Sequence, residues 1–107
     1  MTLKDFSITA PEPSSAGAIS FHVANQGTMI HEFDIYKSSL PLDGLPTNSS
    51  QQVDEGSPMV EVIEASAPIP AGTSVTIVAT LASGHYYFVC NQPGHYKLGM
   101  RLEYVVG

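Results

Sequence analysis

The chain has 107 residues and a net charge of −6, from ten acidic and four basic side chains. The scarcity of Lys and Arg excludes a nucleic-acid footprint, and we expect any protein partner to be basic and attracted by the acidic surface. The single cysteine excludes an internal disulfide, a four-thiolate zinc site, an iron–sulfur cluster and a dinuclear copper centre bridged by two thiolates.

Composition favours one domain, residues 1–107, built of short strands and many turns. Hydrophobic residues make up 43% of the chain and charged residues 13%, with nine glycines and eight prolines. No apolar run has the length of a membrane-spanning helix, and the first residues do not resemble a signal peptide. We therefore expect no membrane insertion by this chain, although a tethered parent protein stays open.

Alternation of apolar and polar residues with period two recurs along the chain, whereas a helical stripe does not. Turn signals lie at residues 11–15 and 25–27. The predicted strands cover residues 3–9, 19–24, 29–36, 60–63, 74–81, 86–90 and 101–106. About seven or eight short strands with regular turns predict an all-β, antiparallel Greek-key β-sandwich.

Residues 38–58 interrupt this pattern with Pro, Gly, Ser and Asn, which predicts a long irregular excursion with one helical turn around residues 49–53. Loops of this length are usually functional or protective. The strand at residues 86–90 is apolar on both faces. We therefore expect one face of that strand to pack on the core and the other to be covered by the long loop.

One loop near the C-terminus carries the strongest functional signal, Cys90-x4-His95-x4-Met100. A lone Cys is usually a small buried hydrophobe and a Met is usually core filler. Here a thiol, an imidazole and a thioether share one loop between two strands. A thiolate and two imidazoles with a weak axial thioether form the ligand set of electron-transfer copper. Zinc bound by two His and one Cys is also chemically possible.

The second imidazole must come from one of three other histidines. His85 lies about 16 Å before Cys90 along one strand and on the opposite face, at roughly 3.3 Å per residue, so it cannot join the site. His22 shares its face with Ser20 and Ala24, which indicates a solvent-facing position. His31 alternates with apolar residues, where a buried imidazole needs a partner. For an isolated buried His, the expected partner is a backbone carbonyl that accepts a hydrogen bond. Here the loop with three candidate ligands favours a metal as the partner instead.

Two segments together resemble the cupredoxin family. They read Asn25-x-Gly27-x3-His31-x-Phe33 and Gly84-x-Tyr86-x-Phe88-x-Cys90-x2-Pro93-Gly94-His95-x4-Met100. The ligand loop is similar to those of auracyanin, rusticyanin and azurin types. The resemblance implies a cupredoxin-like sandwich with one blue-copper ion that carries single electrons, and not an enzyme. It also implies a monomer in the periplasm or another extracytoplasmic space, serving a redox protein.

Carried over by position, the resemblance implies His31, Cys90 and His95 as equatorial ligands and Met100 as the axial one. His95 would be the electron exit, because its small neighbour Gly94 leaves the ring edge near the surface.

Two residues near the ligands are candidates for tuning the site. Glu32 stands where many relatives have Asn, and its side chain points away from His31 along a strand. When ionised it accepts hydrogen bonds but donates none. We expect the backbone amides of Glu32 and Gln92 to donate to the Cys90 sulfur, since Pro93 lies one position later and leaves the Gln92 amide intact.

Three other functions stay open at this stage. One is copper sequestration or delivery, for which exposed and exchangeable ligands would be typical. Another is the domain through which electrons enter a larger copper oxidoreductase. The last is an adhesion module without metal.

Overall fold

The computed structural model describes residues 1–11 and 15–107, which form two four-stranded sheets that share one core. The first sheet has the strand order β2-β1-β3-β6 and the second has the order β5-β4-β7-β8. The strands are β1 (Thr2–Lys4), β2 (Ser7–Thr9), β3 (Gly17–Asn25), β4 (Asp34–Lys37), β5 (Glu61–Ala65), β6 (Ser74–Leu81), β7 (Gly84–Val89) and β8 (Arg101–Val106).

The predicted β-sandwich is confirmed, with one departure in strand direction. Neighbouring strands are antiparallel except β1, which runs parallel to β3. β3 and β6 pair along residues 17–24, although the chain builds β4 and β5 in the other sheet between them. Crossing between sheets in this way is the Greek-key type of connection.

Aromatic rings occupy the centre of the core between the sheets. Phe21 on β3 lies 5.4 Å from both Phe33 and Phe88, measured between ring centroids. Phe88 stacks on Tyr104 of β8 at 4.6 Å. Offset and edge-to-face arrangements at these distances are favourable beyond the area that they bury. The first sheet is thus joined to the two strands that flank the predicted ligand loop.

The first predicted strand is wrong as a single element. Residues 3–9 instead form the hairpin of β1 and β2, which turns at Asp5 and Phe6. The apolar positions shift from odd at Leu3 to even at Phe6 and Ile8, so the alternation breaks at the turn, and the prediction of one strand overlooked this break. The turn predicted at residues 11–15 extends into 12–14, outside the described residues.

The strand predicted at residues 29–36 begins later, at Asp34. Met29 and Ile30 are exposed, and His31 makes only an isolated bridge with Ile69. The helical turn predicted at 49–53 is also wrong, because the short 3-10 helix of the excursion lies at Leu42–Gly44. Strand β5 begins and ends slightly later than predicted, while β6 and β8 have the predicted bounds.

The long excursion after β4 packs over the outer face of the second sheet, as predicted from the apolar pattern of β7. Leu45 and Val53 of the excursion, together with Val60 just before β5, are buried against Tyr36, Val89 and Tyr96, and these six residues form a second apolar cluster. The ligand loop therefore lies between the sandwich and the excursion. Among the described residues, none forms a helix long and apolar enough to span a bilayer.

Asp34, the first residue of β4, is a fully buried acid. Its Oδ1 accepts a hydrogen bond from the Ser66 amide at 3.1 Å, while its Oδ2 has no partner among the described residues. Burial, followed by the nearby Glu32, raises the pKa of Asp34 from 3.8 to about 9. Asp34 is therefore protonated at neutral pH.

We predict that Asp34→Asn stabilises the metal-free protein increasingly as pH rises from about 4 to 9. In this window the unfolded chain ionises Asp34 while the folded protein does not, so wild-type stability decreases as pH increases. The amide cannot ionise in either state, and we expect a gain of more than about 1 kcal/mol at the alkaline end. Urea unfolding across the window measures it.

Asp43→Asn at an exposed position is the matched control and should leave the pH dependence unchanged. A pH dependence of the Asp34→Asn variant that parallels the wild type would contradict the assignment of Asp34 as the protonated acid.

Candidate metal centre

The predicted ligands meet at one end of the sandwich. His31 precedes β4, Cys90 follows β7, and His95 and Met100 lie in the loop that leads to β8. Because β4 and β7 are neighbours, with Asp34 opposite Val89, the segments that extend from them also lie side by side. Residues almost sixty positions apart are thereby brought together by strand pairing.

Three donor atoms from these residues form a compact triangle. His31 Nδ1 lies 3.1 Å from His95 Nδ1, and the Cys90 sulfur lies 3.5 Å from each of these nitrogens. The point equidistant from the three atoms is about 2 Å from each, close to the length of metal–imidazole bonds. All three side chains are buried. The triangle could hold one metal ion.

Cys90 is fully buried, and its sulfur faces backbone amides as predicted. The Glu32 amide donates to the sulfur at 3.3 Å. Burial raises the pKa of the Cys90 thiol from 9.0 to about 11, against the opposing effect of hydrogen bonds from the Glu32 and Gln92 amides. Without a metal the site therefore holds a thiol, and a bound cation would have to displace its proton.

His31 is fully buried, and Asp5 holds the nitrogen that faces away from the triangle. His31 Nε2 lies 2.6 Å from Asp5 Oδ1. Hydrogen bonds from Thr28 lower the pKa of Asp5 from 3.8 to about 2, so the acid is a carboxylate and only accepts. Nε2 therefore carries the proton, and in the neutral ring Nδ1 is left with a free lone pair directed at the other donors.

His95 is more deeply buried than the sequence predicts, with 5% of its surface exposed. Phe6, in the turn between β1 and β2, meets the His95 ring edge-on at 5.0 Å. Burial, followed by the charge of His31, lowers the pKa of His95 below its usual 6.5. The neutral ring, which is the form that binds metals, is favoured.

Met100 is fully buried, and its backbone is hydrogen-bonded to Cys90 and His95. Its carbonyl accepts from the Cys90 amide and its amide donates to the His95 carbonyl, each at 3.1 Å. Gly94 allows the loop to turn, since its φ of 82° is disfavoured for residues with a side chain. The loop is thus closed by its own backbone.

Glu32 connects the His31 segment to the ligand loop, although it differs from the Asn of many relatives. The Gln92 side-chain amide donates to the Glu32 carboxylate. In this connection the loop supplies the donor and residue 32 supplies the acceptor.

The long excursion is fastened to the same loop by polar contacts. Asn91 bonds Val53 through both of its amide atoms, at 2.7 Å to the backbone nitrogen and 3.1 Å to the carbonyl. The Gly94 amide donates to the Gln51 carbonyl at 2.9 Å. Tyr96 bonds Leu45 through its hydroxyl. Both apolar packing and hydrogen bonds therefore fix the ligand loop from outside.

The other two histidines lie away from the triangle, as the sequence predicts. His22 is exposed on β3, near Thr76. His85 is 71% exposed on β7, with Glu103 at 3.7 Å. Neither belongs to the metal-binding group of the described residues.

Solved structures of known proteins share this architecture. Rusticyanin from Thiobacillus ferrooxidans matches with a TM-score of 0.64 and 20% identity, over 90% of this chain and 59% of the rusticyanin chain. Auracyanin from the photosynthetic bacterium Roseiflexus castenholzii matches with a TM-score of 0.62 and 24% identity, over 98% of this chain and 84% of the auracyanin chain. Both are cupredoxins. This chain has the cupredoxin fold.

At sequence identities of 20 to 24%, these structures are similar to this chain in fold alone. A reduced rusticyanin matches similarly, with a TM-score of 0.63 and 22% identity, over 90% of this chain and 61% of its own. The chain therefore spans about three fifths of the rusticyanin length. No family model and no curated protein matches this cupredoxin-fold chain.

Asp5 is the site residue that sequence reasoning missed. The prediction of one strand over residues 3–9 placed it inside that strand, whereas in this cupredoxin fold it lies in the turn that reaches His31. The one available signal was a charged residue in the middle of a short strand pattern, next to an aromatic residue that breaks the alternation.

We predict that Cys90 in the metal-free cupredoxin-fold protein titrates with a pKa of about 11, because burial outweighs the two amide bonds. The ultraviolet absorbance of the thiolate measures the titration, with Cys90→Ser as the blank. Metal uptake should release the thiol proton, so apparent affinity should increase with pH below this pKa. A thiol that ionises at or below its ordinary pKa would contradict the burial argument.

Proposed function

We propose that this chain binds one copper ion and carries single electrons between redox proteins. The donor triangle is the observation on which the proposal depends: two imidazole nitrogens and a thiol sulfur, all buried, separated by 3.1 to 3.5 Å. His31, Cys90 and His95 would hold the ion in their plane, and Met100 would supply the weak axial contact.

The chemistry of the donors favours copper over zinc. Thiolate and thioether ligands suit Cu(I), imidazole suits both copper and zinc, and a His₂Cys site with a distant Met is typical of electron-transfer copper. Structural zinc sites instead take four strong donors in a tetrahedron. Rusticyanin, which matches this fold, is described as a copper protein. These points support the proposal.

When bound, the copper would supply the Cu(II)/Cu(I) couple. The chain's part is to keep the donors fixed through both states. His31 is fastened by Asp5 and by the bridge to Ile69, and the ligand loop is closed by its own backbone bonds. Little rearrangement on electron transfer follows from such a preorganised shell.

Two further features would influence the reduction potential of the ion and its access to water. The Glu32 and Gln92 amides, by donating to the sulfur, withdraw charge from the thiolate and favour the reduced state. Burial of the ligands and the cover of Phe6 over His95 exclude water.

Exposed apolar residues next to the ligands support docking of a partner near His95. Leu98 in the ligand loop is 62% exposed, and Met29 and Ile30 next to His31 are about half exposed. Leu45 of the excursion is buried and does not belong to this exposed group. We propose His95 as the electron exit and a basic redox protein as the partner. A monomer in an extracytoplasmic space suits this role.

Cys90→Ser should abolish the intense visible absorption of the oxidised, copper-loaded protein, because that absorption arises from thiolate-to-copper charge transfer. Met100→Leu is the matched control at the weak axial position and should keep the band while raising the reduction potential. Visible spectra with copper content measured on the same samples test both. An intense band that survives Cys90→Ser would contradict the thiolate assignment.

Copper loaded into the wild-type protein should stay bound through repeated oxidation and reduction, and should pass to a competing chelator slowly, because all four ligand residues are buried. Voltammetry followed by a chelator-transfer time course measures both properties. Rapid transfer of the ion to the chelator would instead favour sequestration or delivery.

A further inference from the structure

The Asp5 carboxylate contacts His31 directly and is also hydrogen-bonded to Thr28. Its Oδ1 lies 2.6 Å from His31 Nε2, and its side chain is 20% exposed. The Thr28 amide donates to Oδ1 at 3.2 Å and to Oδ2 at 3.1 Å, and the Thr28 hydroxyl also bonds Oδ2. The carboxylate thus has defined donors on both oxygens, and one of these is the imidazole.

Gly27 is the residue that makes room for this contact. A Cβ atom at position 27 would lie 2.2 Å from Asp5 Oδ1 and 2.8 Å from His31 Nε2, closer than side-chain atoms are found in proteins. The φ of Gly27 is not in the left-handed region, so the absence of a side chain is needed for space and not for backbone conformation. Gly27 and Thr28 therefore form a cradle for the Asp5 carboxylate.

A carboxylate on the outer nitrogen of a ligating imidazole has two consequences. It fixes the proton on Nε2, so that Nδ1 presents its lone pair, and it makes that lone pair a stronger donor. A stronger donor stabilises Cu(II) more than Cu(I), because the higher charge gains more from donated electron density.

We propose that Asp5 is a positioning residue for His31, which orients the ring for a metal and lowers the reduction potential of the bound copper. This proposal rests on the copper function proposed above. Removal of outer partners of metal ligands typically costs 10-fold to 100-fold in affinity. We expect Asp5→Asn to weaken Cu(II) relative to Cu(I) by about tenfold, which raises the potential by about 59 mV for one electron.

Asp5→Asn removes the negative charge but keeps the hydrogen bond, since the Asn side chain has the same shape and its oxygen can still accept from His31 Nε2. Gly27→Ala instead keeps the charge and displaces the carboxylate from the ring. Both variants should raise the potential measured by voltammetry. Asp43→Asn, which removes an exposed charge, and Gly56→Ala, at an exposed glycine, should match the wild type.

Nitrogen-15 NMR of the His31 ring in metal-free protein supplies a readout that does not depend on copper. Wild type and Asp5→Asn should show the proton on Nε2 alone, whereas Asp5→Ala should show a mixture of tautomers. If Gly27→Ala fails to fold, Asp5→Asn and the NMR readout still decide the question.

The two proposals fail in different ways. A wild-type protein that takes up no copper overturns the copper function, and the effect on potential with it. A wild-type protein that binds copper while Asp5→Asn has the potential of Asp43→Asn overturns the role of Asp5 alone. So does a His31 ring that carries its proton on Nδ1 in the metal-free wild type.

Discussion

The fixed position of the segment around His31, between Cys90 and residues 66–69, is the constraint on which the site depends. His31 exchanges backbone hydrogen bonds with Ile69 at 2.8 and 3.2 Å, and the Phe33 amide donates to the Ser66 hydroxyl at 2.9 Å. On the other side the Glu32 amide reaches the Cys90 sulfur. Because both neighbours hold the backbone, the imidazole has little freedom to leave the triangle.

This end of the molecule is held rigid because buried side chains pack against the ligand loop from two sides. The aromatic core fixes β3, β7 and β8, and the second apolar cluster holds the ligand loop from the opposite side. Asn91 joins the excursion and the loop through two buried hydrogen bonds, and losing either would leave a buried polar group without a partner. The long excursion thereby holds the loop of residues 90–100 in place.

Sequence reasoning predicted the parts of this site that depend on local spacing. The Cys90-x4-His95-x4-Met100 loop lies between two strands as expected, and His31 was found by its place among apolar residues. Asp5 was missed because its contact joins residues 26 positions apart through a hairpin that alternation alone does not reveal. The late start of β4 was missed for a related reason, since the bridge to Ile69 replaces regular pairing around His31. Both misses depend on tertiary contacts.

Crystal structures of the metal-free and the copper-loaded protein, the latter in both oxidation states, would test most directly whether the fold holds the donors in place before the ion arrives. The account predicts one copper ion among His31, Cys90 and His95, with the donor atoms keeping separations near 3.1 and 3.5 Å in every form. A histidine ring that swings out of the triangle in the metal-free protein, or an ion bound elsewhere, would contradict it.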